Sequence, residues 1–353
     1  MSNAKLRRSV TMALHYALLE KDPNYKKARI EIEKFVQLDI KQQSSPLFRR
    51  RITKIPVVVH IVYKNDDQNI SDKQVHSQIQ VLNQDFRKLN SDLDLIPDVF
   101  QSNAGDAAIE FQLAVQDPNG KNTSGITRTK TDVTRFIVDI KKSKEPMKFD
   151  NQGGKDAWPR DNYLNIWVCN TGGDPLGYAR FPGTTTAERD GIVIDYKNFG
   201  NIGTAEHPYN GGRTATHEGG HWLNLLHIWG DDGGGCSGSD NVADTPNQAG
   251  PNYGCPSFPH ITCNNEPDGD MFMNFMDYTD DVCMHMFTEG QIARMHATLR
   301  GPRSSLLNSQ GLSPTDSYHT MRIGPQKLGA EYEKGTTQVF DGCTWIQKEE
   351  FSI

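Results

Sequence analysis

"HEGGHWLNLLH", residues 217–227, sets three histidines and a glutamate within eleven positions. Small and apolar neighbours ("TATHEGGHWL") make His217, Glu218 and His221 part of a helix entered from a glycine-containing loop. Residues four apart share a helical face, so His217 and His221 can aim imidazole nitrogens at one point. Such a pair supplies two of the three protein ligands of a catalytic zinc, which keeps a position open for water. Glu218, the next residue along, reaches that water as general base. His227 lies six residues beyond His221, so it can join the same metal only if the chain leaves the helix and reverses. A left-handed residue makes that turn. Glycine is its usual occupant and asparagine the commonest substitute, so Asn224 is expected at positive φ.

The extended pattern resembles the zinc signature of the metzincin metallopeptidases, HExxHxxGxxH, with Asn224 at the glycine position. "NFMDYTDDVCM" (274–284) is similar to the methionine turn of one metzincin branch, the pappalysins or cytophagalysins. "HWLNLLHIWG" and "LGYARFPG" (176–183) resemble the same branch, and the likeness spans roughly residues 52–306. It implies a metzincin-like α+β fold, in which a mixed five-stranded sheet and an active-site helix lie over an irregular, disulfide-tied lower subdomain. Periodicity alone gives only α+β. The resemblance gives Met276 a packing role beneath the metal, and it gives Tyr278 the role of donor to the oxyanion that peptide hydrolysis creates. The bland alternative for Tyr278 is a core tyrosine.

Four of the six cysteines, Cys236, Cys255, Cys263 and Cys283, crowd a polar, glycine-rich stretch that has too little apolar area to hold itself. Disulfides would supply the restraint. Four cysteines allow three pairings and the spacing selects none; the resemblance implies Cys236–Cys263 and Cys255–Cys283. A four-cysteine zinc site is the competing reading, but no CxxC pair is present. Cys169, in "YLNIWVC", reads as a free core thiol, and the state of Cys343 is open. Disulfides point to an oxidising compartment. No apolar run approaches a membrane span and "MSNAKLRRSV" has no signal-peptide core, so the expectation is a secreted protein whose signal peptide is absent from this sequence.

The chain has 353 residues, 36% hydrophobic and 23% charged, with a net charge of −6. Residues 1–51 hold twelve basic and five acidic residues, a net of +7, which leaves −13 on the remainder. A basic segment beside an acidic body predicts electrostatic docking of one on the other. Nucleic acid is not expected as a partner: the basic segment has no aromatic interleaving and the body would repel phosphate.

Two helices interrupted at Asp22-Pro23 are expected in residues 9–43, then a polar linker containing "PLFRRRITK". Strands follow at "IPVVVHIVYK", "IEFQLAV", "YLNIWV" and "GIVIDY", with a helix capped by Ser71 after the first. A last helix starts near Thr288. The expected organisation is a pro-segment and linker at 1–51, a catalytic domain at 52–306 divided near 227, and an extension at 307–353 with no readable motif. Related pro-segments often cap zinc with a cysteine; here "RRSVTM" offers Ser9, and no cysteine precedes Cys169.

Asp240, Asp244 and Thr245, in "SGSDNVADTP", offer hard oxygen ligands for calcium, which pappalysins bind at this place; a solvated loop is the plain alternative. Asp280 and Asp281 follow the turn near the wall of the S1′ pocket, where a carboxylate would favour Lys or Arg after the cut bond. His60 reads as a satisfied strand histidine, His207 and His285 as surface residues, and Met271, Met273, Met284 and Met286 as core. The function expected is a secreted zinc endopeptidase acting on protein or peptide substrates and made as a zymogen. The alternative is an inactive peptidase scaffold used for binding or adhesion, which would be expected to have lost a ligand or the base. His217, Glu218, His221 and His227 are all present.

Overall fold

The computed structural model describes residues 9–42, 51–184 and 186–315, and the backbone of two strands near the carboxyl terminus. The linker arginines Arg49 and Arg50, and Cys343, lie outside the described residues. The chain divides into two units, Met1–Thr315 and Asp316–Ile353. In the second, Thr337–Phe340 and Trp345–Lys348 pair antiparallel.

The long apolar run becomes the central strand β1 (Thr53–Tyr63), buried on both faces from Ile55 to Val62. Its run of β-branched residues suits a strand covered on both sides. β2 (Ile109–Leu113) and β3 (Ile126–Lys130) share one edge of β1, β2 along its first half and β3 along its second. β4 (Leu164–Cys169) takes the other edge, followed by β6 (Ile192–Asp195) and, antiparallel at the rim, β5 (Gly177–Ala179). The sheet therefore has six strands rather than the five expected. Two strands, β3 and the three-residue β5, lie outside the four read from the chain, and β3, "ITRTK", carries no buried side chain and so shows no apolar run to read.

Helices α1 (Thr11–Lys21) and α2 (Pro23–Gln42) break at Asp22-Pro23, where proline cannot supply an N–H to continue the first helix. α3 (Asp72–Phe86) begins where the Ser71 side chain accepts from Gln74 N. After the single-turn α4 (Asp98–Gln101) and the sheet comes α5 (Arg213–Trp222), which packs on α3 and β5. Between α5 and α6 (Glu289–Arg300) the backbone is irregular and is tied by Cys236–Cys263 and Cys255–Cys283, the pairing the resemblance implied. α6 opens with a reciprocal cap, Thr288 to Gln291 and back.

Candidate active site

α5 carries His217, Glu218 and His221, all buried. Its start is held from the turn that follows Met276: Asp281 Oδ2 accepts from Gly211 N at 2.8 Å and Arg213 N at 3.1 Å. Asp85 of α3 accepts from Thr216 Oγ1 at 2.5 Å and pairs with Arg213 Nε at 3.1 Å. Its end is a Schellman motif. Asn224 stands at φ +76°, with Asn224 N bonded to His221 O and Leu225 N to Gly220 O. The hinge expected of Asn224 is present, and the reversed chain returns His227 to the two helical histidines.

One ligand nitrogen from each of His217, His221 and His227 lies within 4.8 Å of the other two. Every Nδ1 faces an oxygen: Phe275 O at 2.7 Å, Leu225 O at 2.8 Å and Asp231 Oδ1 at 2.8 Å, respectively. Carbonyls and carboxylates only accept, so each Nδ1 carries a proton, and Nε2 is the nitrogen that a neutral ring offers to a metal. The Nε2 atoms of His221 and His227 are 3.1 Å apart. Burial and the neighbouring His227 hold His221 well below its usual pKa, so the ring stays neutral. Two lone pairs at that distance repel unless a cation lies between them, and oxygen partners on the far nitrogens are the usual support of metal-bound imidazoles. The residues fit a metal ion.

Met276 and Tyr278 complete the surroundings. A Cβ on Gly220 would come 2.4 Å from the Met276 sulfur, which gives the second glycine of "HEGGH" its reason: the thioether packs against bare helix backbone beneath the histidines. The Tyr278 ring lies edge-on to His227, centroids 4.8 Å apart, and burial with Glu218 nearby keeps its hydroxyl protonated well above the ordinary range. Asp277, between them, accepts from Gln248, Asn252 and Tyr278 N and so ties the turn to the disulfide loop.

The N-terminal segment enters this site. Ser9 pairs in parallel with Gly177 at the edge of β5. Thr11 Oγ1 donates to Glu218 Oε2 at 2.9 Å, and Ser9 N donates to Tyr278 Oη at 3.2 Å. Arg29 of α2 donates to Asn224 Oδ1 at 2.6 Å and to Pro182 O at 3.0 Å. Among the described residues, its ion pairs with the body run opposite to the net charges. Glu33 and Asp39 of the segment hold Arg294 and Arg300 of α6, and Arg29 and Lys21 reach neutral oxygens. Thr11 and Arg29 were not singled out in the sequence, although Thr11 stands two residues after Ser9. Asp231 was equally missed; its signal is an acid four residues beyond His227.

The remaining expected site residues separate. Asp240 and Thr245 meet, Thr245 Oγ1 donating to Asp240 Oδ2 at 2.9 Å, and burial raises Asp240 to about 7. Asp244 instead anchors α6, accepting from Thr288 Oγ1 and Gly290 N. Asp281 is buried against the start of α5, whereas Asp280 is partly exposed. His60 is satisfied by Thr127 and Asn165, and burial lowers it to about 4. His207 is exposed as expected. His285 is not: it is buried, with Nδ1 3.1 Å from Asp92 Oδ2, because the strand-like chain after Cys283 turns inward under α5. Cys169 is a free, buried thiol, and the four nearby methionines are core.

Comparison with known proteins agrees with this geometry. The peptidase M43 model, described as pregnancy-associated plasma protein-A, matches residues 148–300. An extracellular metalloprotease of Verticillium alfalfae is 32% identical over 268 residues, covering 72% of this chain and 78% of its own. The chain belongs to the pappalysin family of metzincin metallopeptidases. Mature mirolysin of Tannerella forsythia, solved with a cleaved peptide, is 57% identical at a TM-score of 0.69, covering 72% of this pappalysin and 95% of its own chain. Promirolysin from the same organism is 49% identical at a TM-score of 0.76 and covers 85% of this chain and 96% of its own.

Proposed function

We propose that this metallopeptidase is a secreted, zinc-dependent endopeptidase made as a zymogen, with residues 1–51 as pro-segment and linker, residues 52–306 as catalytic domain and the remainder an extension. The observation that carries the reading is the set of three imidazoles, each with its Nδ1 fixed on an oxygen, beside Glu218 and Tyr278. His217, His221 and His227 would hold zinc through Nε2. Bound zinc supplies a Lewis acid that acidifies water and polarises the scissile carbonyl. Glu218 takes the proton of the attacking water and later delivers it to the leaving amine. The Tyr278 hydroxyl donates to the carbonyl oxygen as it gains charge. Likeness to extracellular metalloproteases, two disulfides and the longer match to promirolysin support secretion and the zymogen. Among the described residues no helix is long and apolar enough to cross a membrane.

Of the two acids after the methionine turn, Asp280 is the one proposed to select Arg or Lys after the cut bond, because Asp281 is committed to α5. A calcium ion is proposed on Asp240 and Thr245, where it would neutralise a carboxylate whose pKa burial raises to about 7. Calcium should raise the melting temperature of the wild type and leave that of Asp240→Ala unchanged.

The main test is metal content beside turnover. One zinc per chain is expected by elemental analysis, with peptide hydrolysis abolished by chelator. Glu218→Ala should keep the zinc and lose about 10²-fold or more in kcat, the usual worth of a general base. Wild-type turnover in that variant would remove Glu218 from the mechanism.

A further inference from the structure

The segment that enters the cleft carries no cysteine, so what holds it there must be read from the contacts themselves. Thr11 is fully buried and its hydroxyl uses every bond it can make. It accepts from Ala179 N at 2.8 Å and from Ser9 Oγ at 2.9 Å, and donates to Glu218 Oε2 at 2.9 Å. The direction of these bonds follows from the donors. Ala179 N–H can only donate. Ser9 Oγ already accepts from Thr11 N at 3.2 Å, which leaves its proton for Thr11. The one hydroxyl proton of Thr11 is therefore committed to the glutamate.

We propose that the precursor is kept latent by Thr11 masking the general base, rather than by a side chain on the metal. This rests on Glu218 being the base. The latch occupies three groups at once. Thr11 covers Glu218, Ser9 N–H occupies the Tyr278 hydroxyl, and Thr11 Oγ1 takes the Ala179 N–H on the edge of β5 that a substrate's main chain would otherwise use. Leu14, one turn further along α1, is buried in the cluster that contains Tyr178 of the same strand, and this fixes the height at which Thr11 stands. A latch of this kind does not depend on the metal, because each of its bonds is to protein.

The test is hydrogen exchange of the α1 amides in full-length protein carrying Arg49→Ala, Arg50→Ala and Arg51→Ala to slow self-processing. Removing the metal with chelator should leave α1 protection within about twofold. Thr11→Val should speed exchange about 10- to 100-fold, the range for losing a hydrogen bond to a charged group. Thr11→Ser, which keeps the hydroxyl, should restore most of the protection. Glu218→Ala should loosen α1 as Thr11→Val does, and the double variant should add little to either alone. Unprocessed Thr11→Val should also cleave peptide substrate where the parent does not. If protection instead collapses on metal removal and Thr11→Val changes nothing, the segment is held by the metal and the proposal is overturned, with the peptidase reading intact. If processed enzyme with Glu218→Ala keeps full turnover, the base assignment fails, and the base-masking proposal fails with it.

Discussion

Asn224 combines two roles that a glycine would separate. Its backbone turns the chain at φ +76° so that His227 can return, and its side-chain oxygen receives the Arg29 guanidinium of the N-terminal segment. Glycine meets the first demand better than asparagine and cannot meet the second. Asn224→Gly should therefore keep zinc content and the kcat of processed enzyme. The same variant should hold its segment more weakly, by about 1.5–3 kcal/mol for a lost bond to a charged group, read as earlier processing of the precursor. Asn224→Val should lose zinc as well, because a β-branched residue is a poor fit at positive φ. Equal metal loss in both variants would mean that the side chain, not the backbone turn, positions His227.

Among the elements, the pair α1–α2 lies against the candidate site, and its packing carries a group sensitive to acid. His15 of α1 is buried between Tyr25 of α2 and Phe181, its Nδ1 2.8 Å from the Tyr25 hydroxyl. Burial, with Arg29 nearby, lowers it to about 3 from an ordinary value of 6.5. A histidine whose pKa falls on docking contributes stability that is present above its free pKa and fades as pH drops towards the docked one. Between pH 6.5 and 3 each unit of acidification should thus weaken docking by about 1.4 kcal/mol. Protease nicking of α1 in Glu218→Ala precursor should rise from pH 7 to pH 5, and His15→Gln should flatten that rise. An unchanged rise in His15→Gln would assign it to other groups, Glu33 first, since its bond to Arg294 keeps that carboxylate below its usual range.

Across the whole molecule, the described contacts of the segment are acidic and apolar ones rather than those its excess of basic residues would give. Glu33 and Asp39 pair with body arginines, while Leu14, Tyr25 and Val36 are buried, each contributing about 1.5–3 kcal/mol. Cutting the linker therefore should not by itself release the segment, and about 1 M salt, with a Debye length of ~3 Å, should leave cut segment and body co-eluting on gel filtration. Segment lost at that salt would restore the net-charge picture. Incubated wild-type precursor should yield amino termini from Arg49 to Ile52, whereas Glu218→Ala stays intact. Asp280→Ala should slow those cuts about tenfold or more relative to cuts before apolar residues, as expected for loss of a charge-assisted contact. Cuts mapped by mass spectrometry only after basic residues would sink the acidic-pocket assignment.

Chemistry carried by local spacing was legible in the chain. His217 and His221 share a helical face because four residues make about one turn, and Asn224 had to reverse the backbone because six residues cannot place His227 on the same face. Long apolar strands, the Ser71 and Thr288 caps and the break at Pro23 were equally local. The cysteine pairing needed the family likeness, since spacing favours none of the three. Only the tertiary structure decided the contacts between groups far apart in sequence. Thr11 meets Glu218 across 207 residues and Arg29 meets Asn224 across 195. Gly220 must be small because Met276 returns beneath it, and Asp281 reaches back to the start of α5. β3 was hidden because a peripheral strand held by backbone bonds needs no apolar pattern. His285 looked like any polar loop residue until the fold turned it inward beside Asp92. Periodicity reports which face of an element is apolar; which distant side chain meets that face depends on how the chain closes on itself.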